Sequence, residues 1–127
     1  MAGQPIVPPD SPPPLAPYSP GMQAGNVVYV SGTLALNDEG RIVGAGDVKV
    51  QTRKVLESIR TVLEAAGGGL SDIVFNHIFL QDLGDFRAMN EAYSEYFTEN
   101  RPARYCIRAD LLMRDSLVEI AATAHLD

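Results

Sequence analysis

Residues 101–120 read RPARYCIRADLLMRDSLVEI, and the way this stretch is threaded decides the fold. Apolar residues alternate on both sides of LLMRDS, the pattern of two strands with a tight connection. Tyr105, Ile107, Ala109 and Leu111 share one parity, and Val118, Ile120, Ala122, Ala124 and Leu126 another. The pattern predicts a hairpin of 104–111 with 117–126 whose apolar face packs under helices. The other face then carries Arg104, Cys106 and Arg108 from one strand and Glu119, Ala121, Thr123 and His125 from the second. In that register Glu119 lies opposite Ala109 or Asp110, and Arg104 sits about 17–20 Å away at ~3.3 Å per residue. One small ligand cannot touch both within a chain. Either they serve separate purposes, or two chains bring them together, which implies an oligomer.

Working outward, NVVYVSGTLAL (26–36) reads as a strand rich in β-branched residues. Gly32 weakens it unless another backbone or a ligand must approach closely. NDEGRIVG supplies a turn and a short return strand. From Asp47 to Ala66 the period becomes helical, with Val48, Val55, Ile59, Val62 and Leu63 on one side. Asp47 suits the N-cap, and Gly67, Gly68 and Gly69 stop the helix. DIVFNHIFLQD (72–82) is the next strand. LGDFRAMNEAYSEYF (83–97) is a second amphipathic helix, buried through Phe86, Met89, Tyr93 and Phe97. The order β-β-α-β-α-β-β predicts an α+β fold, two helices on one face of a four- to six-stranded mixed sheet. The second face must meet water or another chain, and its mixture of Cys, Ala and charge suits a subunit interface. Residues 1–16 form a Pro-rich arm, frayed or polyproline-like, before a single domain over 17–127.

Composition narrows the class. The 127 residues carry a formal net charge of −6 without a Lys/Arg cluster, which argues against a nucleic-acid partner or an anionic membrane surface. A lone cysteine permits no intramolecular disulfide and fits a reducing compartment. No apolar run reaches the ~20 residues that span a bilayer, and the N-terminus lacks the basic and apolar regions of a secretory signal. A soluble cytoplasmic protein is expected. The two histidines and the cysteine have no metal-ligand spacing. AGGGL follows a helix rather than a strand, so it is a C-cap and not a phosphate loop.

The segments APYSPG, VYVSGTLAL, AMNEAY, PARYCI and LVEI, in this order and at this spacing, resemble the RidA (YjgF-type) reactive-intermediate deaminases. The resemblance runs from Pro17 to Leu126. SGTLAL, QTRKVLESIRTVLEAAGG and Tyr105 after the arginine are most similar to the RutC branch, which is associated with pyrimidine breakdown and deamination of aminoacrylate. The resemblance implies a chorismate-mutase-like α+β fold and a homotrimer with three clefts between subunits. It also implies hydrolysis of enamines and imines to carbonyl compounds and ammonia, with neither metal nor cofactor. Carried over residue by residue, it makes Arg104 the substrate-carboxylate ligand and Glu119 the acid that positions water. Tyr18, Ser31, Gly32, Asn90 and the backbone at Cys106 become pocket-lining positions. ADLLMRD departs from the Arg-Leu-Pro run of many members, and Asp110 stands where a basic residue is common. That departure bears on substrate preference more than on reaction class.

Residue chemistry by itself leaves alternatives open. Arg104 can grip a small carboxylate with two parallel hydrogen bonds or hold an interface ion pair. Arg108 lacks motif support and reads as structural. Glu119 can shuttle a proton from water, given a pKa near working pH, or pair with an arginine. Cys106 as a nucleophile needs a base, and neither His77, which shares parity with Phe75 and Phe79, nor the near-terminal His125 suits. It reads as a small filler. Asn90 is a structural bridge or a pocket donor, and Tyr18 caps the cleft or anchors the arm. Two rival functions follow: a carboxylate-binding or protein-interaction module without turnover, and a cysteine hydrolase.

Overall fold

The computed structural model describes residues 2–127; Met1, the first residue of the expected arm, lies outside the described residues. The elements run β1 (Gln4–Ile6), β2 (Gly21–Ala24), β3 (Val27–Thr33), α1 (Val48–Ala65), β4 (Ile73–Leu80), α2 (Phe86–Ser94), β5 (Ala103–Arg108) and β6 (Val118–His125). α1 begins where the Asp47 carboxylate accepts from the backbone N–H groups of Lys49 and Val50, a cap worth about 1 kcal/mol. It stops before Gly67, whose φ of 88° suits glycine alone among common residues. α2 is shorter than the spacing predicts, because Leu83–Asp85 forms a single 3₁₀ turn ahead of it. Met89, Tyr93 and Phe97 are buried as expected, whereas Phe86 is 44% exposed. Among the described residues, no helix is long and apolar enough to cross a membrane.

The strands form one mixed sheet in the order β1-β2-β3-β6-β4-β5. Among the described residues only the β4–β5 pair is parallel, as its connection through α2 requires. Both helices lie on one face and bury Val28, Val30, Ile78, Leu80, Ile120 and Ala122 beneath them. The expected α+β arrangement is present. Part of the Pro-rich start joins it: Gln4, Pro5 and Ile6 pair antiparallel with Gln23, Met22 and Gly21. This is an edge strand, where a proline is tolerated. The short return strand after β3 is reduced to one bridge, Leu36 with Ile42.

Two expectations fail, and both concern residues 101–126. First, 104–111 and 117–126 do not form a hairpin. β5 is the outer strand beside β4, and β6 crosses to the middle between β3 and β4. The reason lies in burial. Val118, Ile120 and Ala124 have no exposed surface and Ala122 almost none, which only a central position beneath α1 can provide. The edge suits β5, whose side chains are too polar on one face for a full cover. Second, the parity of β5 is reversed. Arg104 and Cys106 turn toward the helix layer, while Tyr105 (39% exposed) and Ile107 (48% exposed) lie on the open face. β6 keeps its expected parity, with Glu119, Ala121, Thr123 and His125 on the open face. Arg104 and Glu119 therefore leave opposite faces of the sheet.

Candidate active site in two halves

Arg104 reaches from the edge strand across the end of α2. Its Nη2 donates to Asn90 Oδ1 at 2.6 Å, and its Cζ sits 4.7 Å from the Tyr93 ring centroid and 5.9 Å from that of Phe86. Its Nη1 is buried and finds no hydrogen-bond partner among the described residues. A guanidinium nitrogen withdrawn from water without an acceptor is costly, and a carboxylate is the acceptor whose geometry it fits. The sequence-predicted Asn90 is thus a bridge to Arg104. Cys106 lies two residues on along the same face and packs against the core. Burial pushes its thiol up, only partly offset by Arg104. A protonated thiol is a poor nucleophile.

The second half forms around a bulge. Between Val30, opposite Ala122, and Thr33, opposite Ile120, β3 carries one residue more than β6. The irregularity places Gly32 hard against Glu119: a Cβ at Gly32 would collide with the Glu119 carboxylate. Any side chain there would push the Glu119 carboxylate out of its present place. A close approach occurs at Gly32, made by a side-chain carboxylate and not by the backbone or ligand that was expected. Glu119 is half-buried, and burial alone pushes its carboxyl above the ordinary value of 4.5. Beside it, Ser31 Oγ donates to the Ser19 carbonyl at 2.6 Å and the Ser31 N–H to Pro20 O, tying β3 to the segment that carries Tyr18. Tyr18, Ser31 and Gly32 share the wall of a cleft of about 550 Å³ with Lys54 and Ser58 of α1.

Within one chain the halves stay apart. Arg104 is level with Asn76 of β4, and Glu119 with Phe79. Three residues along and two strands across give about 14 Å between their Cα atoms. The expected separation of 17–20 Å is replaced by a shorter one, with opposite sheet faces between the two side chains. Asn90, Arg104 and Cys106 form one group; Tyr18, Ser31 and Gly32 line the cleft beside α1, and Glu119 meets this second group through Gly32 alone.

Two contributors escaped the sequence reading. Asn76 is fully buried, and its Nδ2 donates to the Tyr93 hydroxyl at 2.8 Å. The available signal was an amide that shares the parity of Ile78 and Leu80, both buried. Phe86, expected in the core, borders Arg104 instead. His77, expected as a packed imidazole, stands on the open face with its Nδ1 3.1 Å from the Tyr105 hydroxyl.

The endoribonuclease L-PSP family pattern matches residues 9–126. The 3-aminoacrylate deaminase RutC of Acinetobacter baylyi is 53% identical over 121 residues, 95% of this chain and 96% of that one. The crystal structure of RidA from the Antarctic bacterium Psychrobacter sp. superposes with a TM-score of 0.88 at 33% identity, covering 97% of this chain and 99% of that one. E. coli TdcF with bound serine does so with a TM-score of 0.87 at 32% identity, covering 98% and 99%. The chain belongs to the endoribonuclease L-PSP family, the family of RidA, on its RutC branch.

Proposed function

We propose that the protein is a homotrimeric, cofactor-independent deaminase that hydrolyses 3-aminoacrylate, or a closely related 2-imino acid, to the carbonyl acid and ammonia, in pyrimidine degradation. The observation that carries this reading is Arg104: one nitrogen is fixed by Asn90 and the other is buried and unpartnered. That arrangement calls for a small carboxylate. The 53% identity to a 3-aminoacrylate deaminase supports the choice of which one.

Arg104 holds the carboxylate and so places the imine carbon for attack, a contribution of proximity. Glu119 takes a proton from water as the water oxygen bonds to that carbon. It returns the proton to nitrogen as the carbinolamine collapses, the C–N bond breaks and ammonia leaves. Backbone N–H groups near Gly32 and Cys106 stabilise the developing charge. The two groups sit on opposite faces about 14 Å apart, so each site takes Arg104 from one protomer and Glu119 from its neighbour. Assembly is supported by the open sheet face, where Tyr29, Tyr105 and Ile107 are 51%, 39% and 48% exposed. Phe75, His77 and Phe79 stack among them. An apolar patch of this kind is what subunit contacts cover, and the family resemblance implies three copies.

The test is direct. 3-Aminoacrylate generated in the cuvette should lose its absorbance faster in the presence of the protein, with saturable dependence and stoichiometric ammonia. Decay at the buffer rate with folded protein would overturn the reading in favour of a binding module.

A further inference from the structure

Arg104 is a long side chain at a sheet edge, yet it is held as if it could point in only one direction. Asn90 fixes Nη2 at 2.6 Å, which settles rotation within the guanidinium plane but not the tilt of that plane. The tilt is set from below, where the Tyr93 ring lies 4.7 Å from Arg104 Cζ. Tyr93 is itself immobilised. It is 6% exposed, its ring packs 4.5 Å from that of Phe97, and its hydroxyl accepts from the buried Asn76 Nδ2. Asn76 is the direct strand partner of Arg104, so the anchor and the arginine share one rigid frame.

The cost of this arrangement is visible. Asn76 is fully buried and its Oδ1 has no partner among the described residues. A leucine or isoleucine would fill a purely packing position without that penalty. Only the bond to Tyr93 explains the amide. Burial also pushes the Tyr93 phenol up against the opposing pull of Asn76 and Arg104, so the residue offers a neutral π-face and not a counter-ion.

We propose that Tyr93, its ring angle locked by Asn76, is a positioning residue that sets the plane in which the Arg104 guanidinium meets the substrate carboxylate. The proposal rests on the assignment of Arg104 to that carboxylate. A fixed guanidinium plane removes the rotamer cost of binding and presents two parallel N–H groups at once. An aliphatic residue at 93 would fill the volume and hold no plane.

Replacing Tyr93 by leucine invites misfolding, so the test keeps the shape and changes the ring. Tyr93→Phe and a series of singly to triply fluorinated phenylalanines at position 93 drain the π-face at nearly constant volume, with folding checked by circular dichroism. The readouts are the affinity for pyruvate relative to its uncharged amide, and the split between KM and kcat for the enamine. Tyr93→Phe removes the hydroxyl held by Asn76 and should weaken the carboxylate preference several-fold, and the triply fluorinated ring should lose on the order of tenfold, both expressed in KM. In an Arg104→Ala background the series should be flat. A flat series with Arg104 present overturns the proposal while leaving the carboxylate assignment intact. Arg104→Ala with an undiminished preference for pyruvate over its amide is a different failure: it overturns that assignment, and this proposal with it.

Discussion

At the scale of single residues, three side chains bear testable loads. Cys106 packs against the core and its thiol is pushed up by burial, so Cys106→Ala should retain most deaminase activity. A loss matching that of Arg104→Ala in steady-state assays would make the thiol a participant. Arg104→Ala should cost on the order of 2–4 kcal/mol of carboxylate and transition-state binding, because a charge-assisted bidentate pair is lost. Glu119→Gln should slow turnover ~10²-fold or more. Glu119 also sets a pH dependence. Its folded pKa is raised above 4.5 by burial, and the ionised form is the base. Activity should therefore fall on the acid side with a midpoint above 4.5, the free-enzyme limb of kcat/KM. The stability sign is opposite. A raised folded pKa contributes stability that is complete below 4.5 and is lost as pH rises through the folded value. Glu119→Gln should flatten that part of the urea-midpoint profile.

At the scale of elements, the passage of the chain from the edge strand β5 to the central β6 is the least obvious feature of the fold. The segment 109–117 crosses the end of β4 and is held by two glutamines. Gln81 accepts from the Leu111 N–H. Gln51 of α1, fully buried, donates to the carbonyls of Gly44 and Asp115 and accepts from the Leu117 N–H. One amide thus ties the first helix to the crossover. Gln51→Leu keeps the volume and strips these bonds, and it should destabilise the chain by about 2–4 kcal/mol, since buried backbone groups lose their partners. Urea unfolding measures this, and a change below ~0.5 kcal/mol, the range of surface substitutions, would mean that the crossover is held elsewhere.

At the scale of the whole molecule, the helix-free sheet face and the divided site point to one assembly. Light scattering should give about 41 kDa, three copies of 13.7 kDa; a stable 13.7 kDa species at micromolar concentration would remove the basis of the shared site. Unfolding Arg104→Ala and Glu119→Ala chains together and refolding them should restore partial activity. With equal mixing, on the order of a quarter of the interfaces join an intact Arg104 to an intact Glu119. Mixed trimers that form and stay inactive would place both residues in one site of one chain.

Much of this was legible without coordinates. The Asp47 cap, the period of α1 and the alternation in β6 are local, because propensity and spacing act over a few residues; the constraint at Gly32 comes from Glu119 on the neighbouring strand. The quoted PARYCI and LVEI segments carried the family and its chemistry. The pairing of β5 and β6 was not local. Alternation reveals that a strand has two faces, but not which neighbour it joins or which face is covered. Those were decided by competition for burial: the fully apolar side of β6 takes the centre, and β5 is left at the edge. There, Asn90 and Tyr93 of α2 can satisfy Arg104 on the covered side while Tyr105 and Ile107 face outward. The buried Asn76 follows from the same contest, since its only reason to be an amide is a tyrosine brought beside it by the tertiary fold.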